Sequence, residues 1–370
     1  MYLTKFESSG LRNLTDNYIN LSPQLNIIDG DNAAGKSSLL EGIGLLISGR
    51  SFRTSKNTQL ISHNNNKLTL FGEFNDATKM GLSLGYGKDS RMIKLNGDYV
   101  DALSKIASIY PVQVLSPESY HLIDSGPNQR RKYLDWLLFH VEHSYKSKWL
   151  LFNKVLKQRN SYLRSLKGDI KNLNPLLIHT WNSKFHDISK FVTDKRIELV
   201  KMIAVDIEVI SKELNFDITS LFKIEYMSGN KNINFSEELT GCITQDVVRG
   251  TSTIGPHRAD IKITVNNKNV KDVLSRGQKK MLVNALYLAQ TNMLKRLTNK
   301  DSLFIIDDFS SELDNSNQLK LLSALKKQNG VQVFISCMNA KVLKPMIKEY
   351  NNVKMFHVKH GEINEVNLPI

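Results

Sequence analysis

Close to the N-terminus, "MYLTKFESSG" and "YINLSPQLNIID" carry short apolar alternations separated by polar turn residues, the pattern of strands. The second segment runs through Asp29–Gly30 into a glycine-containing turn and an apolar stretch that predicts a helix from about Gly35 to Leu46. "NKLTLFGEFN", "MGLSLGYG" and "RMIKLNGDYV" predict further strands. From Gln129 to about Leu166 the rhythm changes: Trp136, Leu137, Val141, Tyr145, Trp149, Phe152, Val155, Tyr162 and Leu163 recur at helical spacing among lysines and arginines. "KGDIKNLNP" interrupts that run. A second long helix is predicted from near Thr180, with Trp181, Phe185, Ile188, Val192, Leu199 and Ile203 on one face.

A strand, "SLFKIEY", and a small helix follow, and α/β texture returns from about Thr251. "ADIKITVNNKNVKDVLS" reads as a hairpin. "SLFIIDDF" and "VQVFIS" are unbroken apolar runs, as expected of strands buried on both faces, and the helical "NSNQLKLLSALKKQ" lies between them. That is the βαβ unit of a parallel sheet. The expected organisation is an α/β head split into residues 1–120 and 251–370, with a mostly helical arm at 121–250 inserted between the halves.

Composition narrows the partners. The chain has 370 residues, with 41 % hydrophobic and 23 % charged, values of an ordinary globular protein with a packed core. Lys plus Arg is 50 against 36 Asp plus Glu, a net charge of +14, which favours a polyanionic partner. Cys242 and Cys337 stand far apart without zinc-ligand spacing. The opening "MYLTKFESSGL" has no apolar signal core, and no window reaches the ~18 apolar residues of a membrane span. A cytoplasmic location with no membrane partner is expected, nucleoid-associated when DNA is bound.

The chemistry begins at "GDNAAGKSS", Gly30 to Ser38, which has the form G-x-x-x-x-G-K-[ST] between a strand and a helix. In that context the backbone N–H groups of Gly30, Asp31, Asn32, Ala33, Ala34, Gly35, Lys36, Ser37 and Ser38 would cradle phosphates at the helix N-terminus. Lys36 would neutralise the β- and γ-phosphates, and the Ser37 hydroxyl would bind Mg2+. Ala33 and Ala34 stand where such loops often carry glycine. At a position of positive φ, alanine would strain the loop by roughly 1 kcal/mol. "SLFIIDDF" ends a buried strand on two carboxylates. Asp307 is the candidate metal ligand and Asp308 the group that would orient the attacking water.

"LSRGQKK" opens a helix with a serine and a glycine at its start, a second helix N-terminus built for an anion. The chain thus resembles the ABC-type ATPases, whose signature is LSGGQ; Arg276 stands where that signature has glycine. The resemblance implies an ABC-type ATPase head, a mixed β layer plus a parallel-sheet P-loop core, in which two heads sandwich two ATP molecules. Ser275, Gly277 and Gln278 would then act on the nucleotide of a second molecule. It further implies that Gln113, in "PVQVLSPES", senses Mg2+ and the attacking water, and that Asp314, in "SELD", touches the partner head. Asp308 replaces the usual glutamate, and Ser336 stands where a switch histidine is expected, so slow hydrolysis is expected.

The stretch from Lys36 to Ser275 is longer than a transporter's nucleotide domain needs and much shorter than a chromosome-organising coiled coil. "GRSFR", "GPNQRRKYLDW", "LKQRNSYLR" and "GPHRADIKI" are not general ABC features. With the motifs above they make the chain resemble the RecF family of bacterial recombination mediators along nearly its whole length. That resemblance implies a slow, DNA-stimulated ATPase that dimerises with ATP on double-stranded DNA near junctions with single strands. It further implies binding to RecR and, with RecO, help in loading RecA. A small-molecule phosphotransferase with the same loop is the alternative; it would have no use for "LSRGQKK". A transporter subunit is a third reading, disfavoured by the inserted arm.

DNA contact is expected from sequence-independent cations. Arg50 and Arg53 of "GRSFR" and Arg130 and Arg131 at the start of the arm are the candidates. Lys132, Lys146, Lys148, Lys154, Lys157, Arg159, Arg164 and Lys167 continue the series, and the three tryptophans read as the arm's core. His257 and Arg258 could serve the nucleotide or DNA.

Overall fold

A computed structural model describes residues 1–87, 91–100, 109–216, 222–230 and 234–368. The chain divides into two compact units. The first comprises Met1–His121, Ile210–Phe216 and Ser275–Ile370, the second Leu122–Val209 and Asp217–Leu274.

The first unit is α/β. One antiparallel sheet has the order β2-β1-β4-β5-β6-β7, built from β1 (Leu3–Ser9), β2 (Asn17–Asn20), β4 (Lys67–Phe74), β5 (Lys79–Gly85), β6 (Arg91–Leu95) and β7 (Asp98–Tyr99). A second sheet has the order β15-β14-β3-β13-β12-β8, from β3 (Leu25–Asp29), β8 (Val112–Leu115), β12 (Ser302–Ile306), β13 (Val331–Cys337), β14 (Val353–Lys359) and β15 (Glu362–Val366). Every pairing of this sheet is parallel except β14 with β15. All five residues of β12 are buried, which is why its sequence shows no polar alternation. The helix Lys36–Ser48 is buried nearly all round, and its Leu39, Leu40, Ile43 and Leu46 share one core with Phe6, Leu70, Ile305 and Phe334 of both sheets.

"YINLSPQLNIID" is two strands in two sheets, not one. Pro23 breaks it, and the Asn26 side chain accepts from the Ser22 N–H at 2.7 Å and donates to the Ser22 carbonyl at 2.9 Å, fixing the turn between β2 and β3. Parallel β3 and β12 both flank β13, so the turn after β3 and the residues after β12 emerge at the same sheet edge, where ligands of open α/β sheets bind.

The second unit is mainly helical. The predicted run from Gln129 to Leu166 is two helices, Pro127–Val141 and Tyr145–Ser165. They part where the Glu142 carboxylate accepts from both the N–H and the hydroxyl of Ser144. The long helix Pro175–Glu213 starts at a proline, and Asn174 caps it by accepting from the N–H groups of Leu176 and Leu177. A small sheet, β11-β10-β9, joins β9 (Phe222–Met227), β10 (Asp260–Val265) and β11 (Lys268–Asn269). Residues 251–274 belong to this unit because β10 pairs antiparallel with β9 over six positions.

Buried ion pairs hold the second unit. Arg159 and Asp246 are both fully buried and meet at 2.7 Å; Arg159 also donates to the Ser252 hydroxyl at 2.6 Å. Arg196 makes a two-pronged contact with Asp135, both bonds at 2.9 Å, and donates to the Pro256 carbonyl at 2.8 Å. The His257 imidazole beside this network is pushed down to about 4 by burial, so it is neutral at physiological pH.

Candidate functional site

The strand β3 delivers the chain to a turn with three residues of positive φ: Gly30 at +147°, Ala33 at +62° and Gly35 at +123°. A Cβ on Gly30 would sit 2.3 Å from the Val358 carbonyl oxygen, and one on Gly35 would sit 2.6 Å from Leu14. Gly30 is therefore required by space as well as by φ, whereas at Gly35 the φ of +123° decides, since the Leu14 methyl can shift. Ala33 occupies the left-handed region despite its Cβ, so the expected strain is present. The Ala33 carbonyl accepts from the Asn13 side chain at 3.2 Å, and Asn13 in turn accepts from the Ser38 hydroxyl at 2.9 Å, which fixes the strained turn from both sides. Ala33→Gly should raise stability by about 1 kcal/mol, read as an increase in thermal midpoint; a lower midpoint would show that the alanine methyl packs more than it strains.

The helix Lys36–Ser48 follows, with its first N–H groups pointed at the turn. The Lys36 ammonium donates to the carbonyls of Gly30 at 2.7 Å and Asp31 at 2.8 Å. Ser37 donates to Asp307 Oδ1 at 2.8 Å, joining the turn of β3 to the end of β12. Ser336, at the end of β13 between them, donates to the same oxygen at 2.8 Å and accepts from the Asp308 N–H at 2.8 Å. Asp308 itself has left-handed geometry, φ +58°. Ser37 Oγ and Asp307 offer convergent hard oxygen donors, the donor set Mg2+ takes. The pair would hold the metal, which bound there would neutralise phosphate charge.

A cavity of about 940 Å³ opens over these groups, lined by Lys36, Ser37, Asp307, Asp308 and Ser336 and, farther along, by Arg53 and His63. That size suits a nucleoside triphosphate. Sequence reasoning missed Arg12 and Asn13, which also line it. Arg12 is anchored by a two-pronged bond to the fully buried Glu41, at 2.5 and 2.9 Å, and Glu41 also accepts from Ser51 of "GRSFR". The signal was the buried acid on an apolar helix, which demanded a cationic partner.

The structure corrects the expectation for Gln113. Its side chain is buried, donating to Gln290 at 2.8 Å and accepting from Thr291 at 2.5 Å, both on the helix Arg276–Thr298. Its amide is spent inside the core and does not reach the cavity, whose wall on this side is Ser116, Pro117 and Glu118. The register explains this: β8 ends at Leu115 beside Ile306, so Ser116 onward borders Asp307 and Gln113 lies two residues inside the strand.

Ser275 caps the helix Arg276–Thr298 in a reciprocal arrangement: Ser275 accepts from the Gln278 N–H at 3.3 Å and the Gln278 side chain accepts from the Ser275 N–H at 2.9 Å. Ser275, Arg276, Gly277 and Gln278 are all exposed, and a Cβ added at Gly277 would meet nothing within 4 Å. None of them is among the described residues lining the 940 Å³ cavity. Asp314 is exposed and caps the helix Asn315–Lys327.

The DNA candidates separate. Arg50 and Arg53 are exposed, and Arg53 borders the cavity. Arg130 is not available as proposed from sequence: its guanidinium grips Asp260 at 2.6 and 3.0 Å and donates to the carbonyls of Leu122, Ile123 and Ser125. Arg131 is half-buried and donates to the Ala259 carbonyl at 2.7 Å; burial pulls its guanidinium below the ordinary arginine value. Arg159 likewise leaves the series, being fully buried, whereas Lys132, Lys146, Lys148, Lys154, Lys157, Arg164 and Lys167 are exposed. Arg258 is exposed and His257 is half-buried. The tryptophans are half-buried: Trp149 meets Phe139 edge-on and Trp136 meets His140.

Residues 2–364 match the model of the RecF/RecN/SMC N terminal domain. The chain belongs to this RecF/RecN/SMC family. Its RecF-type character is shown by relatives at full length. The DNA replication and repair protein RecF of Hahella chejuensis is 34 % identical over 99 % of this chain and 100 % of its own. That of Shewanella woodyi is also 34 % identical, over 100 % and 99 %. A solved structure of the recombination mediator RecF with ATP, in the RecFOR pathway, superposes with a TM-score of 0.84 at 27 % identity, covering 99 % of this chain and 98 % of that one. An Smc head bound to the C-terminal winged-helix domain of ScpA has a TM-score of 0.58 at 15 % identity, a likeness of fold alone. The RecF family head is thus an ABC-type ATPase fold. No helix among the described residues is long and apolar enough to cross a membrane.

Proposed function

We propose that the chain is an ATP-dependent DNA clamp of recombinational repair and replication restart. ATP and Mg2+ bind at Lys36, Ser37 and Asp307, and the exposed Ser275–Gln278 cap of a second molecule completes each site. Two heads then close on double-stranded DNA near a junction with a single strand. Slow, DNA-stimulated hydrolysis, with Asp308 orienting water, reopens the dimer. RecR is the direct protein partner, with RecO and RecA downstream.

One observation carries this reading. The chain presents an exposed helix start, capped by Ser275 and Gln278, away from the lining of the cavity its own phosphate loop builds, and such a helix start suits an anion. A phosphotransferase acting alone has no role for that surface. The charge of +14 and the exposed cations Arg50, Arg53, Lys146, Lys154 and Lys157 supply a sequence-independent, salt-sensitive hold on DNA.

Sedimentation of the protein with and without ATP, and with a gapped duplex, tests it. The clamp is expected to sediment as a dimer only with ATP and to travel with the duplex. A monomer under every condition, with ATP turnover indifferent to DNA, would support the phosphotransferase instead.

A further inference from the structure

The position at the end of β13 where ABC-type ATPases carry a switch histidine is Ser336, and its surroundings give it a different task. Its side chain is 1 % exposed, on a strand flanked by β3 and β12. The hydroxyl proton goes to Asp307 Oδ1 at 2.8 Å, and a lone pair takes the Asp308 N–H at 2.8 Å. Asp308 lies beyond the end of β12 in a left-handed conformation, so its N–H has left the strand ladder. The serine oxygen is the acceptor that lets Asp308 hold this turn without a buried orphan donor.

We propose that Ser336 is a positioning residue of the nucleotide site, its single hydroxyl orienting Asp307 toward the metal and Asp308 toward water. This rests on the reading of the cavity as an ATP and Mg2+ site. Asp307 Oδ1 receives two hydroxyls, from Ser37 and Ser336. Ser37 is itself a candidate metal ligand, so its bond to Asp307 would be given up if both side chains held a metal. Ser336 is 1 % exposed and does not compete for that metal, so its bond to Asp307 would be free to persist. It is then the contact that holds Asp307 in place, as outer-shell partners hold metal-ligating carboxylates elsewhere. The serine acts through the two carboxylates rather than on the nucleotide.

Binding measurements separate this role from a structural one. Mn2+ is titrated into the full chain with a non-hydrolysable ATP analogue and free Mn2+ is read by electron paramagnetic resonance; analogue binding in EDTA is measured alongside. Ser336→Ala is expected to weaken Mn2+ binding about tenfold or more, with binding in EDTA unchanged. Ser336→Thr, which keeps the hydroxyl, should restore the affinity. Should the alanine variant fail to fold, Ser336→Cys, of similar size with a weak acceptor, should show the same loss. Native Mn2+ affinity in the alanine or cysteine variant overturns the proposal, as does loss of binding in EDTA that tracks the loss with Mn2+. If the native chain binds no analogue under either condition, the nucleotide reading fails instead.

Discussion

Lys36→Met is expected to abolish ATP-driven dimerisation. The Lys36 ammonium is the one cation inside the phosphate turn, held within it by the carbonyls of Gly30 and Asp31 at 2.7 and 2.8 Å. A bound triphosphate would take over those bonds. A charge-assisted hydrogen bond contributes about 1.5–3 kcal/mol, so methionine should weaken nucleotide binding roughly ten- to 150-fold. With ATP held above the native dissociation constant and below the weakened one, light scattering should report a monomer where the native chain is a dimer. The fold should survive, because the residue's apolar stem stays in place and its polar contacts are to a loop. An unchanged dimer fraction would show that closure does not depend on this turn.

The second large effect lies far from the nucleotide. Asp246→Ala should destabilise the second unit by about 3–5 kcal/mol, the cost of leaving a buried partner charge uncompensated. Arg159 is fully buried, and its guanidinium is paired with the equally buried Asp246 carboxylate. The same carboxylate accepts from the N–H and hydroxyl of Thr253, at 2.8 and 2.6 Å, so the variant also frees the turn at 251–253. Urea unfolding followed by far-ultraviolet circular dichroism measures the change. A loss under about 1 kcal/mol would mean that water reaches Arg159 once the carboxylate is gone.

The contrast between these two residues shows what the sequence could reveal. Lys36 was legible because its neighbours in the chain are its neighbours in the site: strand, turn and helix follow one another from Leu25 to Ser48. The unbroken apolar runs of β12 and β13 were legible for a similar reason, since burial on both faces leaves no polar alternation. The cap at Ser275 and Gln278 is likewise local. Arg130, Arg131 and Arg159 looked like one basic series because sequence displays charge and not partner. Their acceptors, Asp260, Ala259 and Asp246, come from a segment about a hundred residues later. The blocks "GPNQRRKYLDW" and "GPHRADIKI" therefore turn out to be partners in the second unit, whereas "LKQRNSYLR" pairs through Arg159 with Asp246 and Ser252, just ahead of the last block.

Gln113 failed for a related reason. A glutamine near the right strand matched by type, but the parallel register with β12 decides which residue reaches the strand end, and the side chain found Gln290 and Thr291 in the core. Ser336 was noticed only as a missing histidine. Its bonds to the Asp307 carboxylate and the Asp308 N–H depend on β13 lying beside β12, an order that the chain does not display until it is folded.

In the proposed clamp each nucleotide is held by the turn of one molecule and the Ser275–Gln278 cap of another. Mixing Lys36→Met chains with Ser275→Arg chains tests it most directly, with ATP turnover as the reading. Each variant alone lacks one half of both sites and should be inactive. A mixed dimer has one site built from the intact turn of one chain and the intact cap of the other. Turnover is expected to return on mixing, in proportion to the mixed dimers formed; turnover that stays at the level of the separate variants would rule out a site shared between two molecules.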